Sequence, residues 1–129
     1  MIRVTAAGTL VKPYKDATDA VELKELPSGT SVAKMRVKSS NKKGKDGEWT
    51  HLFIDVECWG SLAQNAALSL SSGDQVVFSG LLQYEEYEKR DGSKGEKWKI
   101  RADDLGPGLS FGPVGVSKAP RFPPGEEAF

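Results

Sequence analysis

Apolar and polar residues alternate over much of the chain, and this period of two marks strands. Within residues 32–38, Ala33, Met35 and Val37 share one side and Lys34, Arg36 and Lys38 the other. Within residues 51–59, Leu52, Ile54, Val56 and Cys58 make a core set, which turns Phe53 and Trp59 to the opposite face. A strand with a complete apolar side has no packing need for two more large aromatics. Residues 2–11 read as a first strand, interrupted by Gly8. A shorter extended run over 21–26 ends at the turn signal Pro27-Ser28-Gly29, and the second strand proper covers about 30–38. A long strand starts at 76–82 and continues through Tyr84 and Tyr87. The last, about 96–105, alternates Trp98, Ile100 and Ala102 with Lys97, Lys99 and Arg101.

One segment has helical spacing instead. Gly60-Ser61 opens it, with Ser61 expected as N-cap, and Leu62, Ala63, Ala66, Ala67 and Leu70 define its apolar side. Gly73 falls where a left-handed C-terminal cap is expected. Residues 39–47 read as a polar loop carrying Lys42, Lys43 and Lys45, and residues 90–95 as a hairpin turn. The predicted fold class is all-β: five strands with one short helix between strands 3 and 4, the element order of an OB-fold barrel. Past Gly106, Pro107, Pro113, Pro120, Pro123 and Pro124 fall among glycines without periodicity. The expected division is a barrel domain over 1–109 and a flexible, disordered tail over 110–129.

Composition adds limits. The 129 residues, 38% of them hydrophobic, suit one modest core, and no second folded domain fits. The formal net charge is zero, so the whole-chain balance gives no support to polyanion binding. The distribution is less even: residues 1–48 hold ten Lys or Arg against six Asp or Glu, and residues 49–129 hold eight against twelve. A single cysteine, Cys58, excludes an intrachain disulfide and reads as a small buried hydrophobe. No leader pattern or membrane-length apolar run is visible, so a soluble cytoplasmic protein, with no membrane association, is expected. His51 is the only histidine and has no cysteine cluster beside it, so no metal site is expected. No nucleophile–base spacing or phosphate loop is present, so neither catalysis nor a cofactor is expected.

Exposed aromatics beside a row of cations suit a flexible polyanion with stackable bases. Lys34, Arg36 and Lys38 either track phosphates or form a solvated face paired with Asp55 and Glu57. Phe53 and Trp59 either stack on bases or lie in a subunit interface. Tyr84 and Tyr87, three apart, point to opposite faces. Trp98 shares its face with Ile100 and is assigned to the core. Trp49 either stacks or closes the hairpin.

Over roughly residues 2–112 the chain resembles the bacterial single-stranded DNA-binding proteins. The resemblance rests on 26–33 (LPSGTSVA), Cys58-Trp59-Gly60 with Leu62-Ala63, the passage from Ser72-Gly73-Asp74-Gln75-Val76 to Gly80-Leu81-Leu82, and Asp91-Gly92. The exit 104–109 (DLGPGL) is similar to actinobacterial members. The resemblance implies an OB fold, assembled as a homotetramer or a dimer, that wraps single-stranded DNA without sequence preference. It also implies nucleoid association and recruitment of replication, recombination or repair proteins through an acidic tip ending in an aromatic. Phe53, Trp59 and Tyr87 match family stacking positions, whereas a fourth falls near Lys43, so that loop is expected to give charge through Lys42, Lys43 and Lys45. Glu126, Glu127 and Phe129 keep the tip in reduced form, with Ala128 in place of a proline. Asp55 and Glu57, between the stacking candidates, depart from what a phosphate groove favours.

The expected function is non-enzymatic, sequence-independent binding of single-stranded DNA. The alternative is a protein–protein adaptor on the same scaffold with weak DNA affinity, and a third reading is an RNA-preferring OB domain.

Overall fold

The alternating runs become strands because each has one side to bury and a neighbour to pair with. The computed structural model describes residues 1–41, 45–110 and 112–116. In chain order it contains β1 (Arg3–Val11), β2 (Val21–Glu25), β3 (Ser31–Asn41), β4 (Thr50–Trp59), α1 (Ser61–Ser69), β5 (Gln75–Glu88) and β6 (Lys94–Pro107). The sheet order is β1-β5-β6-β4-β3-β2, and β1 also pairs with β3. Five strands therefore close a ring, with β2 added on the outer edge of β3. Every pairing is antiparallel except β4 with β6, which is parallel. This is the five-stranded OB barrel, its helix between the third and fourth barrel strands.

Two glycines let the ring close. A Cβ on Gly8 would lie 2.5 Å from the Lys38 carbonyl oxygen and 2.7 Å from Val37 Cγ1. Only a residue without a side chain allows β1 to cross to β3 there, where Thr9, Leu10 and Val11 pair with Lys38, Val37 and Arg36. A Cβ on Gly80 would overlap the Arg101 carbonyl oxygen and lie 2.7 Å from Ala102 Cα. The β5–β6 register shifts at this point, from Ser79 opposite Asp104 to Gly80 opposite Ala102. The extra residue, Asp103, turns outward, and Arg3 Nη2 donates to its Oδ2 at 2.7 Å. That hydrogen bond, opposed by a little desolvation and aided by the guanidinium charge, lowers the Asp103 pKa.

The core lies inside the ring, where Phe78, Leu10, Val37, Val56, Val76 and Cys58 are the largest fully buried side chains. Burying Phe78 alone stabilises by about 1.5–3 kcal/mol. Helix α1 packs Ala63 and Ala66 against this core. Its N-cap is Gly60, at φ 68° and ψ −137°, and Ser61 is the first helical residue. The expected serine cap is displaced because the chain must reverse sharply after Trp59, at a φ that glycine adopts freely. The Gly60 amide donates to the Ser31 carbonyl at 2.8 Å, tying this reversal to β3. The helix ends at Leu70 in extended conformation. Gly73, at φ 94°, instead serves the following turn, where the Ser71 amide donates to the Asp74 carboxylate at 2.8 Å.

Other boundaries differ from the sequence reading. Residues 39–41, expected in the loop, extend β3 and pair with Leu52, His51 and Thr50. Leu52, expected in the core, is 56% exposed. That end of β4 pairs with β3 alone and runs past the packed interior. The 21–25 run is a paired strand, held to β3 by five partners. At the β5–β6 turn, Gly92 takes φ 87° and the Asp91 carboxylate accepts from the Ser93 hydroxyl and amide, which lowers its pKa.

Candidate nucleic-acid interface

One outer face of the barrel gathers the residues singled out by alternation. On the β3–β4 ladder, Lys34 stands opposite Glu57, Arg36 opposite Asp55 and Lys38 opposite Phe53. Trp59 lies at the end of the same row, opposite Val32. Directly opposed residues in a sheet point the same way, so the cations and the two aromatics share one surface. Phe53 is 48% exposed and Trp59 half-buried.

The parallel β4–β6 pairing adds a second basic row. Lys99 registers with Asp55 and Arg101 with Glu57. Alternation puts Lys97 on the same side, and Tyr87, opposite Gly95 at the far end of β5, is on that side too. Tyr87 is exposed, its ring lying over Gly95 so closely that a Cβ there would sit 2.5 Å from its Cζ. Lys97, Lys99 and Arg101 were not among the sequence candidates. Their alternation is visible in the sequence, but a parallel register between strands about 40 residues apart is not.

Side-chain contacts organise the face. Arg36 lies over the Phe53 ring, its guanidinium carbon 4.9 Å from the centroid, and Arg101 lies over Trp59 at 4.6 Å. The Trp59 indole N–H donates to Glu57 Oε1 at 2.8 Å. Glu57 Oε2 faces Lys99 Nζ at 3.4 Å, and Lys99 also reaches Glu85 Oε1 at 3.1 Å. Burial pulls the Lys99 pKa down, but the hydrogen bond to Glu85 and the charges of Glu57 and Glu85 outweigh it, so the net shift is upward. Glu57 thus pairs with Lys99 and not with Lys34, the partner its own ladder suggested. Only 7% exposed, it fixes the indole edge more than it presents charge to solvent.

The remaining candidates are dispersed. Trp49 is 54% exposed, beside Gly8 and Lys38 near the β3–β4 loop. Lys45 is exposed in that loop. Lys42 and Lys43, and the tip residues Glu126, Glu127 and Phe129, lie outside the described residues. Trp98 is 53% exposed, contrary to its core assignment. It shares its face with Ile100, but at that level the β5–β6 hairpin has left the barrel, and Trp98 packs on Tyr84 with centroids 4.7 Å apart.

A closed OB barrel with aromatics and cations on one open face defines a nucleic-acid-binding class of domain. The sequence matches the single-strand binding protein family over residues 16–107, and the chain belongs to that family. A single-stranded DNA-binding protein of Corynebacterium glutamicum is 37% identical over 107 residues, which cover 78% of this chain and 47% of that protein. A Mycolicibacterium smegmatis protein of the same description is 32% identical over 121 residues, 90% of this chain and 73% of its own length. The chain therefore spans about half the length of the first relative and about three quarters of the second. The crystal structure of a small single-stranded DNA-binding protein from Streptomyces coelicolor superposes with a TM-score of 0.69 at 24% identity, covering 86% of this chain and 97% of that one. That likeness establishes the fold.

Proposed function

We propose that this chain binds single-stranded DNA without regard to sequence, by stacking bases on Phe53, Trp59 and Tyr87 and neutralising phosphates. The observation that carries the reading is the single surface on which these aromatics alternate with Lys34, Arg36, Lys38, Lys97, Lys99 and Arg101. Every base offers a π-face, so stacking tolerates any sequence, while the cations supply salt-sensitive attraction. Trp49 and Lys45 extend the surface toward the β3–β4 loop, and Lys42 and Lys43, outside the described residues, add two more cations next to them in the sequence. A binder of this kind protects exposed strands during replication, recombination and repair, and performs no catalysis.

Family membership supports two further parts of the proposal. Several copies, a homotetramer or a dimer, assemble to wrap a longer strand, and Glu126, Glu127 and Phe129 recruit protein partners. Cytoplasmic action at the nucleoid goes with this role. Among the described residues no helix is long and apolar enough to cross a membrane.

The test is a titration of intrinsic tryptophan fluorescence with oligo(dT) at low and high salt, beside duplex DNA of equal length. Quenching by the single strand alone, weakened but not abolished by salt, is the expected result. Absence of binding at low salt would overturn the reading in favour of the adaptor, for which the exposed Tyr84–Trp98 pair beside Glu86 and Glu96 is the supporting observation. Matched RNA oligomers decide between DNA and RNA.

A further inference from the structure

Arg36 and Arg101 each stand beside a carboxylate and do not pair with it. Arg36 is directly opposite Asp55 on the β3–β4 ladder, and Arg101 registers with Glu57 across β4–β6. Neither forms an ion pair with a described residue, since the pairs present are Arg3–Asp103, Lys99–Glu57 and Lys99–Glu85. Each guanidinium instead lies over one of the two stacking rings, at 4.9 Å from the Phe53 centroid and 4.6 Å from that of Trp59.

Local chemistry accounts for the choice. Both oxygens of Glu57 are already engaged, one by the Trp59 indole and one by Lys99. A guanidinium is planar and weakly hydrated, and it settles on an aromatic face where an ammonium stays in water. The lysines of this surface accordingly contact carboxylates or solvent, and the arginines take the rings. A guanidinium so close to a ring centroid occupies the space in which a stacked base would lie.

We infer that Arg36 and Arg101 are exchangeable covers: ring-bound in the free protein, displaced by bases on binding, and then turned to the adjacent phosphates. The inference rests on the stacking reading above and deepens it. Covering shields part of each ring from solvent without burying it in a contact that a base cannot break. The exchange also couples stacking to phosphate neutralisation, because the group that leaves the ring is the one that meets the backbone. Arg101 is exposed, and Arg36 lies at the surface of a ladder held by ten partners, so either can move without unravelling its strand.

The experiment compares parent, Arg101→Gln and Arg101→Lys in oligo(dT) binding from about 0.05 to 1 M salt, with urea midpoints recorded to confirm folding. Losing one phosphate contact flattens the log–log salt slope by about 0.7, so the affinity of Arg101→Gln relative to parent rises roughly eightfold across that range. Arg101→Gln is expected to bind more weakly than parent at low salt and more tightly at high salt, where removal of the cover outweighs the lost phosphate. Arg101→Lys keeps the charge but leaves the ring, and is expected to bind more tightly than parent at every salt with an unchanged slope. A Gln line that runs parallel to the parent line or never crosses it, or a Lys variant no tighter than parent, would overturn the exchange. Trp59→Ala in the same titration separates the two claims. If it binds as the parent does, the stacking reading itself fails; if it binds weakly while the arginine variants run parallel to parent, only the exchange fails.

Discussion

Glu57 is a carboxylate on the surface proposed to meet phosphate, and its two roles can be pulled apart by two substitutions. Glu57→Gln keeps an oxygen for the Trp59 indole N–H, now at 2.8 Å from Oε1, and removes the charge. Glu57→Ala removes both. Lys99 retains Glu85 at 3.1 Å in either case, so no ammonium is stranded. Removing one negative charge about 10 Å from a phosphate is worth about 0.4 kcal/mol in a water-like dielectric, roughly a twofold gain in affinity. Glu57→Gln should therefore bind oligo(dT) about two- to fivefold more tightly at low salt, where more than one phosphate is near, with the gain vanishing at high salt. Glu57→Ala carries the same charge change but frees the indole edge, a loss of about 1–3 kcal/mol in folding stability for the orphaned donor and the vacated space. It should bind more weakly than parent, because a ring that must be ordered on binding returns less stacking energy. The assay is anisotropy of labelled oligo(dT) with urea denaturation alongside. Equal tightening by both variants would refute the anchoring role and leave Glu57 as a bare charge.

Two further outcomes follow from the same structure. Gly80→Ala should destabilise the fold by about 1–3 kcal/mol, since the new methyl meets the Arg101 backbone and not a flexible side chain; an unchanged urea midpoint would contradict the close approach of β5 and β6. Burial, aided by the Glu57 charge, raises the Cys58 pKa from 9.0 to about 11. The folded state therefore favours the neutral thiol, and this contribution is present below pH 9 and lost as pH climbs toward 11. Between pH 8 and 11 the stability gap between parent and Cys58→Ala should shift against parent by about 2 kcal/mol, and a constant gap would refute the shift.

The sequence was most legible where a strand has one buried side. Alternation placed Lys34, Arg36 and Lys38 with Phe53 and Trp59, because antiparallel neighbours inherit their faces from a period of two. It was least legible where strands outrun the core. Leu52 and Trp98 continue the apolar rows of Val56 and Ile100 but lie past the barrel's end, and nothing local marks where the interior stops. The second basic row escaped for a different reason: Lys97, Lys99 and Arg101 join the face only through a parallel pairing set by ring closure. The N-cap lies at Gly60 and not at Ser61 because backbone reversal, not side-chain capping, governs that corner.

Base stacking on the Phe53 and Trp59 rings is the core of the proposed binding mode. The direct measurement is the affinity of the Phe53→Ala/Trp59→Ala double variant for oligo(dT) at salt high enough to screen the phosphates, with folding verified by urea titration. Each lost stack should cost about 1–3 kcal/mol, roughly 5- to 150-fold per ring, with the salt slope little changed. Parent-like affinity in the folded double variant would contradict the account.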